Sequence, residues 1–448
     1  MIDKLLSASQ KQVSFENFRI AVCDLNGVWR GKRLPSNKLS KTLNEGSRIP
    51  LSTSCIDVWG CDLIESPFLF KTGDSDGTAV PTGAKIFPVN WLENKTAIIP
   101  CWIFDDKGKP SQIDPRHILQ AVLDKYILKG LRPVVALELE FYLLDPIAKK
   151  PINAVGPLSK TRNTKTSVLS IDDLDEFESF FSDVYKACED YGIPADSAIS
   201  ENAAGQFEIN LTHSNNVLDA ADHAFFFKKL LKGIAKKHSL SASFMAKPFL
   251  DRAGSGMHLH FSIIDESNDN IFNDGTSDGS LKLKYAVGGL INAMSDSTLI
   301  FAPHLNSYKR LKRGSHAPTS ICWGYENRTA SIRIPGGNHR NIRIEHRVAG
   351  ADANPYLVSA AILATALQGI EGKCEPPKPV KGDSYQKALP QIPSDWLTAI
   401  GLFKGSNLNK SLYPPLFAQV LSNCKLQEYD TFANRLEDFE IATYLDLI

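Results

Sequence analysis

The stretch VVALELEFYLL (residues 134–144) alternates apolar and acidic residues along its centre. Successive side chains of a β-strand point to opposite faces of the sheet. Leu137, Leu139 and Phe141 therefore share one face, while Glu138 and Glu140 share the other. Neighbouring carboxylates repel each other unless a positive charge lies between them. The stretch predicts a strand with an apolar core face and a second face suited to a cation.

Four other segments repeat this division into an apolar and a polar face. They are GQFEINL (205–211), SGMHLHFSI (255–263), ASIRIP (330–335) and NIRIEHRV (341–348). A half-solvated antiparallel sheet is the simple explanation, because one face of such a sheet often meets water. These polar faces, however, are rich in Glu, His and Arg rather than in Lys, Thr and Ser. The alternative is a metal-lined cleft, in which carboxylates with an occasional imidazole favour magnesium or manganese over zinc.

Arginines are concentrated in the second half of the chain, at positions 310, 328, 333, 343 and 347. Guanidinium groups make bidentate contacts with carboxylates and phosphates. Hard metal ions together with arginines are the groups that phosphoryl transfer from ATP requires. The sequence contains no GxxxxGK[ST] loop, protein-kinase glycine loop or HRD motif, so the P-loop and protein-kinase classes are excluded.

Length and composition are those of an ordinary globular chain. The 448 residues include 50 Lys and Arg against 50 Asp and Glu, with 43% hydrophobic and 22% charged residues. A net charge of zero argues against a nucleic-acid partner. No run approaches the ~18 apolar residues of a membrane span, and MIDKLLSASQKQ (1–12) lacks the apolar core of a secretory signal. The eight cysteines form no CxxC pair, so we expect reduced thiols and a cytoplasmic location.

The character of the sequence changes near residues 106–113. Before this point, FRIAVCDL (18–25), STSCIDVW (52–59) and TAIIPCWIF (96–104) read as short strands separated by turns. After it, DPRHILQAVLDKYILKG (114–130) has helical spacing, with Pro near its start and Gly after its end. Further helices are expected at 172–191, 219–238, 281–299, 354–371 and 426–445. The pattern predicts an α+β fold with domains at 1–112 and 113–448.

Six ordered blocks resemble the glutamine synthetase family across nearly the whole chain. They are ELEFYLLD (138–145), ENAAGQFEINL (201–211), KPFLDRAGSGMHLH (247–260), NSYKRL (306–311), ENRTASIRIP (326–335) and IEHRVAGADANPYL (344–357). The resemblance implies an N-terminal β-grasp domain followed by a catalytic domain, with a curved antiparallel sheet flanked by helices. It also implies a homo-oligomer of stacked rings, a dodecamer, whose sites are shared between neighbouring subunits.

The resemblance implies two Mg²⁺ or Mn²⁺ ions in each active site. The positions that match the ligands of one ion are Glu140, Glu201 and Glu208. The positions that match the ligands of the other ion are Glu138, His258 and Glu345. All six residues have the types that the family uses at these positions.

The resemblance also implies which residues contact the substrates. The matches to ATP contacts are His260, Ser262, Arg328 and Arg333, of which Arg328 also serves the transferred group as a catalytic residue. The matches to contacts of the glutamate substrate are Gly254, Arg310 and Arg347. Arg343 has no implied role, and we expect it in a structural ion pair. Arg340 is an alternative contact for the nucleotide.

The implied reaction has two steps. The side-chain carboxylate of glutamate attacks the γ-phosphate of ATP and forms γ-glutamyl phosphate, and an amine then displaces phosphate. Both steps need positioning and neutralisation of charge more than a protein nucleophile.

The sequence departs from the family pattern around the amine. Where glutamine synthetases carry a DGSS-type segment, whose Asp binds and deprotonates ammonium, this chain has DVWGCDLIES (57–66). Asp62 is the best equivalent of that catalytic Asp, and Asp57 is a second candidate. The flap segment KRGSHAPTS (312–320) has His316 where the family carries a Glu, so His316 is the candidate for acceptor selectivity.

These departures predict a changed acceptor. Together with GDSDGTAVP (73–81) and AGSGMH (253–258), they resemble the γ-glutamylpolyamine and γ-glutamylputrescine synthetase branch, in which an organic amine accepts the acyl group. Trp59 and Trp323 are further candidates for contacts with a long cation, and Tyr413 is expected to be structural. The alternatives are a glutamine synthetase that uses ammonia and an inactive structural or regulatory member.

Overall fold

The computed structural model describes residues 15–69, 73–83, 86–445 and 448. These residues form two β-sheets and a surrounding set of helices, so the chain has a mixed α and β fold. The segment 1–12, which we assessed for a secretory signal, lies outside the described residues. Within the described part of the chain, no helix is long and apolar enough to cross a membrane.

The first sheet is built from six strands near the N-terminus. These are β1 (Asn17–Cys23), β2 (Trp29–Pro35), β3 (Ser47–Pro50), β4 (Asp76–Pro81), β5 (Phe87–Pro88) and β6 (Thr96–Phe104), with helix α1 (Leu39–Glu45) between β2 and β3. The order is β2-β1-β6-β4-β3, and β5 pairs with β6. The expected strand at 52–59 is wrong, because Leu51–Cys55 forms a 3₁₀ helix and a loop follows it.

Helix α2 (Pro115–Ile127) leads from the first sheet to the second. Its N-cap is Asp114, whose side chain accepts a hydrogen bond from the backbone N–H of Arg116. The guanidinium of Arg116 makes two 2.9 Å hydrogen bonds to the carboxylate of Asp222 and lies 3.7 Å from the centre of the Trp102 ring. Helix α2 therefore ties the last strand of the first sheet to the helical layer of the second.

The second sheet is larger and largely antiparallel. Its strands are β7 (Arg132–Leu144), β8 (Ala195–Ser200), β9 (Gln206–Leu211), β10 (Ser241–Ser243), β11 (Met257–Ile264), β12 (Trp323–Tyr325), β13 (Ile332–Ile334) and β14 (Ile344–His346). The order is β12-β13-β14-β11-β7-β9-β8, with β10 on β7, and only the β12–β13 pair is parallel.

Ten further α-helices complete the described part of the chain. They are α3 (Ile171–Glu176), α4 (Glu178–Tyr191), α5 (Val217–Lys237), α6 (Leu281–Phe301), α7 (Ser307–Arg310), α8 (Pro355–Glu371), α9 (Trp396–Gly405), α10 (Asn407–Leu412), α11 (Pro415–Ala433) and α12 (Asp438–Tyr444). The expected helix at 172–191 is broken at the buried Phe177. The expected helix at 426–445 is wrong in both bounds, because Pro415 starts α11 and residues 434–437 separate it from α12.

The predicted division of strand faces is confirmed. Leu137, Leu139 and Phe141 are at most 1% exposed and belong to the main hydrophobic core. That core extends to the first sheet, where Trp29 stacks on Phe225 of α5 with ring centres 4.1 Å apart. The apolar face of the second sheet is thus fully covered, and its chemistry lies on the opposite face.

Candidate active site

The strand registers bring the predicted acidic and imidazole residues together on one face. Glu138 of β7 lies opposite His258 of β11, and Glu140 lies opposite Glu208 of β9. On the other side of β11, His260 lies opposite Glu345 of β14. The alternating pattern that the sequence showed in separate segments is therefore assembled into one surface.

Two groups of these side chains have the spacing of metal ligands. One consists of Glu138, His258 and Glu345, and the other consists of Glu140, Glu208 and His258. In each group, the possible ligand atoms all lie within 4.8 Å of one another. The donors are carboxylate oxygens with a single imidazole, which suit magnesium or manganese.

Charge is distributed unevenly over the carboxylates. Burial opposes ionisation of Glu138, yet the imidazoles of His258 and His260 hold its pKa well below the ordinary value. Burial and the neighbouring charge of Glu140 raise the pKa of Glu201 to about 7. Burial also raises the pKa of Glu208 well above its ordinary value, and the nearby carboxylates add to this shift. The polar face holds more buried carboxylates than its positively charged side chains neutralise. A bound divalent cation would neutralise the excess negative charge.

Two arginines hold the carboxylate of Glu345. Nη1 of Arg333 lies 3.0 Å from Oε2, and Arg347 contacts Oε1. Burial opposes the ionisation of Glu345, but Arg347 and then the two imidazoles keep its pKa below the ordinary value. Arg328 is exposed, and its charge acts on Glu201.

The predicted glutamate-binding residues lie around one tightly packed turn. Nη1 of Arg310 donates a 2.8 Å hydrogen bond to the carbonyl of Val348, and the side chain is almost fully buried. A Cβ added at Gly254 would lie 2.5 Å from the carbonyl oxygen of Ala246 and 2.7 Å from the Arg310 side chain. Only glycine fits at Gly254, because a larger residue would displace this arginine.

A cavity of about 880 Å³ adjoins the acidic face. Glu138, His260 and Ser262 line it, together with Arg340 and Arg343. Nε of Arg343 lies 3.3 Å from Nδ1 of His260. Within the described residues, the side-chain contact of this guanidinium is thus an imidazole at the wall of the cavity, and the expected ion pair of Arg343 is not found there.

The sequence reasoning missed Gln206. Its Nε2 lies 3.4 Å from Oε2 of Glu140 and 3.1 Å from the carbonyl oxygen of Gly254. It thus connects an expected metal ligand to the expected glutamate turn. The signal was present, because Gln206 shares the polar face of β9 with Glu208.

The candidate acceptor residues lie in two loops. Asp62 is exposed, whereas Asp57 is 2% exposed and uses its carboxylate within the loop, accepting 3.0 Å and 2.8 Å hydrogen bonds from the N–H groups of Trp59 and Cys61. His316 is exposed and has a left-handed backbone, with φ of 63°.

The aromatic candidates contact other parts of the chain. The Trp59 ring lies 5.4 Å from that of Phe432, and the buried Trp323 donates its indole N–H to the carbonyl of Pro377. Tyr413 is buried, with its ring 5.3 Å from that of Phe417. These contacts give Trp59, Trp323 and Tyr413 structural partners.

A mixed α and β chain whose antiparallel sheet presents carboxylates, imidazoles and arginines on one face has the organisation of a metal-dependent catalytic domain. Residues 112–444 match the family described as glutamine synthetase, catalytic domain, and the chain belongs to the glutamine synthetase family.

The chain is similar to characterised relatives over almost its full length. It is 37% identical to the γ-glutamylputrescine synthetase of Escherichia coli K12, over 94% of this chain and 90% of that protein. It is 31% identical to a glutamate–isopropylamine ligase of a Pseudomonas species, over 97% and 96% of the two chains. Its fold matches that of GmaS in a complex with ADP with a TM-score of 0.86 at 28% identity, covering 98% of this chain and 99% of that one.

Proposed function

We propose that this protein is an ATP-dependent ligase that joins the γ-carboxylate of glutamate to an organic amine. The observation that carries the proposal is the single polar face of the second sheet. On it, two clusters of possible metal ligands have His258 in common and lie beside buried arginines. An organic acceptor is supported by the names of the relatives, which specify putrescine and isopropylamine. It is also supported by His316 at the flap position where the family pattern has a Glu.

Two Mg²⁺ or Mn²⁺ ions fit the polar face. Glu138, His258 and Glu345 would hold one ion, and Glu140, Glu201 and Glu208 would hold the other. The raised pKa values of Glu201 and Glu208 support this assignment, because a cation would neutralise the repulsion that raises them. When bound, the ions would supply Lewis-acid stabilisation of charge on the phosphate oxygens.

The side chains of the protein would position the two anionic substrates. Arg328 and Arg333 neutralise the transferred phosphoryl group, while His260 and Ser262 contact the nucleotide in the adjoining cavity. Arg310 and Arg347 bind the carboxylate of the glutamate substrate, next to Gly254. With these charges matched, the γ-carboxylate attacks the γ-phosphorus of ATP and ADP leaves. The amine then attacks the acyl carbon of the resulting γ-glutamyl phosphate, and phosphate leaves.

The assembly is part of the same proposal. Residues 1–112 form a β-grasp domain and residues 113–448 form the catalytic domain. The chain forms a cytoplasmic homo-oligomer of stacked rings, a dodecamer, in which the loop of Asp57 and Asp62 reaches the acceptor site of the neighbouring subunit. Asp62 then deprotonates the amine, and its exposure within one chain leaves it accessible for this role.

Release of phosphate from Mg-ATP and glutamate tests the activity. The acceptors are ammonium, putrescine, spermidine, ethanolamine, isopropylamine and none, each at matched concentration. We expect kcat/KM for an organic amine to exceed that for ammonium. Faster turnover with ammonium would make the protein a divergent glutamine synthetase, and no turnover with any acceptor despite metal binding would contradict the ligase assignment.

A further inference from the structure

A cationic groove lies where strands β1 and β2 meet helix α5, in a different part of the fold from the acidic face. Its volume is about 300 Å³. The charged residues that line it are Arg19, Arg30, Lys32, Arg33 and Lys229. Among the lining residues that the structure describes there is no carboxylate.

The groove holds an unfavourable pair of like charges. Arg19 of β1 lies directly opposite Arg33 of β2 in the antiparallel register. Like charges at directly opposed positions destabilise a sheet. Within the described residues, neither arginine has an ion-pair partner.

The positive charge extends onto helix α5. Lys229 is half-buried, and its pKa is lowered by burial and then by the charges of Arg19, Lys232 and Lys236. All three of these neighbours are cations. The lysines at 229, 232 and 236 follow helical spacing, so they continue the cationic surface along one side of the helix.

A hydrogen-bond donor among the lining residues is buried without an acceptor. The indole N–H of Trp29 has no partner among the described residues. Arg30 alternates to the opposite face of β2 from Arg33, and its Nε donates to Oδ2 of Asp24 over 2.8 Å, so its charge is already paired away from Arg19 and Arg33. Lys32 likewise donates to the carbonyl of Arg48 over 2.7 Å. A buried donor that lacks an acceptor is costly, and a charged donor is more so. Within the described residues, the Trp29 indole and the opposed pair Arg19 and Arg33 are therefore groups of the groove that lack an acceptor.

We propose that this groove binds a small anion with two or more phosphate groups, at a site separate from the ligase site. Guanidinium groups bind phosphate oxygens in bidentate geometry, and Arg19 and Arg33 present two such groups side by side. The volume is at the lower end of the range for small-molecule sites, so a short polyphosphate chain fits better than a large cofactor. Binding would relieve the repulsion between the arginines and stabilise the first sheet.

Tripolyphosphate is the probe, titrated by calorimetry into the full-length protein without magnesium. We expect the double variant Arg19→Gln with Arg33→Gln to bind at least tenfold more weakly. The matched control is Lys149→Gln with Lys150→Gln, which removes two exposed charges from a turn elsewhere and should leave the affinity unchanged. Arg328→Gln is the control for tripolyphosphate binding at the ligase site. It should also leave the affinity for tripolyphosphate unchanged. The ligase kcat of the Arg19/Arg33 variant should equal that of the parent protein.

The midpoint of thermal denaturation is a second readout, because the proposal predicts the direction in which it changes with and without the anion. Without anion, Arg33→Gln should raise or preserve the midpoint, because one of two repelling charges is gone. Addition of tripolyphosphate should raise the thermal midpoint of the same variant by less than it raises that of the parent protein. Equal affinity in the parent and the Arg19/Arg33 variant, or loss of binding in Arg328→Gln alone, would overturn the proposal. A changed oligomeric state of the Arg19/Arg33 variant would also overturn it, since the groove would then accept an acidic surface of a second copy.

Discussion

Arg333 and Glu345 occupy opposed positions on β13 and β14, with Nη1 of the arginine 3.0 Å from Oε2 of the carboxylate. Arg347 contacts the other oxygen, and the imidazoles of His258 and His260 lie 3.8 Å and 3.9 Å from it. The side chain is 1% exposed, and within the described residues its contacts are two guanidinium groups and two imidazoles. A residue proposed to bind metal is thus fixed in orientation by an arginine proposed to bind phosphate, which couples the two functions.

The first prediction concerns this coupling. Arg333→Lys keeps the positive charge but loses the planar fork, which fixes the carboxylate and can bind phosphate. We expect kcat/KM for ATP to fall about 10²-fold, the typical effect of removing one donor that stabilises a transition state. Steady-state kinetics measure it, with Arg313→Lys as the control, because Arg313 is exposed and donates to Gln386. An unchanged kcat/KM in Arg333→Lys would contradict the role proposed for this residue.

The second prediction concerns the carboxylate in the second metal group. Glu208→Gln keeps the shape but removes a buried negative charge that its neighbours oppose. We expect the metal-free protein to be equally stable or more stable, since repulsion falls. We also expect Mg²⁺ affinity to fall by at least about 10- to 100-fold, the loss seen even for groups that only support a ligand.

Thermal denaturation with and without Mg²⁺ measures both effects on Glu208→Gln. Glu189→Gln, at an exposed position of α4, is the matched control and should respond to Mg²⁺ as the parent protein does. If Glu208→Gln retained the full Mg²⁺ response, Glu208 would not be a ligand.

Local periodicity explains why the sequence could place the acidic and apolar side chains on separate faces of the sheet. A strand assigns side chains to faces by a period of two, so Glu138 and Glu140 could be placed together from their spacing alone. The same rule places His346 of NIRIEHRV (341–348) on the apolar face with Ile342 and Ile344, and in the structure it is 1% exposed with its ring 4.4 Å from that of Phe301. Which strands are neighbours is not a local property, and for these the resemblance to the family was needed.

The loop at 56–66 shows what local patterns cannot give. Its backbone N–H groups at Val58 and Ile64 donate to the side chains of Glu428 and Gln427, over 2.8 Å and 2.9 Å. These partners lie on helix α11, near the other end of the chain. The apolar residues of STSCIDVW suggested a strand, but these distant hydrogen bonds and the carboxylate of Asp57 hold the segment as a loop instead.

The third prediction concerns acid stability. Glu428 and Lys425 form a fully buried ion pair, with Oε2 and Nζ 2.9 Å apart. Burial opposes the ionisation of Glu428, but Lys425 and His304 lower its pKa from 4.5 to about 2. A carboxyl group whose pKa is lower in the folded than in the unfolded protein stabilises the fold at pH values above its unfolded pKa. This contribution is lost as the pH falls from about 4.5 to about 2. The free energy of unfolding should fall by up to about 3 kcal/mol over that range from this group.

Urea denaturation at several pH values between about 5 and about 2 measures this loss of stability. The double variant Lys425→Met with Glu428→Gln removes both charges together, so no lone buried charge remains. It should show a shallower fall in stability with acid than the parent protein does. Glu93→Gln, at an exposed position, should keep the steep fall. An equally steep fall in the double variant would show that other groups govern the acid response.

The fourth prediction concerns acceptor choice. His316 has a left-handed backbone, so a substitution must be judged against one that tolerates this conformation. His316→Glu restores the anionic flap residue of the family pattern, and His316→Asn is a neutral control that accepts a positive φ. We expect His316→Glu to raise the ratio of kcat/KM for ammonium to that for the preferred organic amine by about tenfold, which corresponds to about 1.4 kcal/mol of discrimination.

Both His316 variants need the same panel of acceptors, because strain in the flap would lower every rate without changing the ratio. A shift in the ratio for His316→Glu but not for His316→Asn would assign the effect to charge. Equal shifts in the two variants would assign it to loss of the imidazole. If neither variant changed the ratio, acceptor choice would reside outside the flap, and the loop that carries Asp57 and Asp62 would be the next region to test, since Gln427 and Glu428 hold its backbone in place.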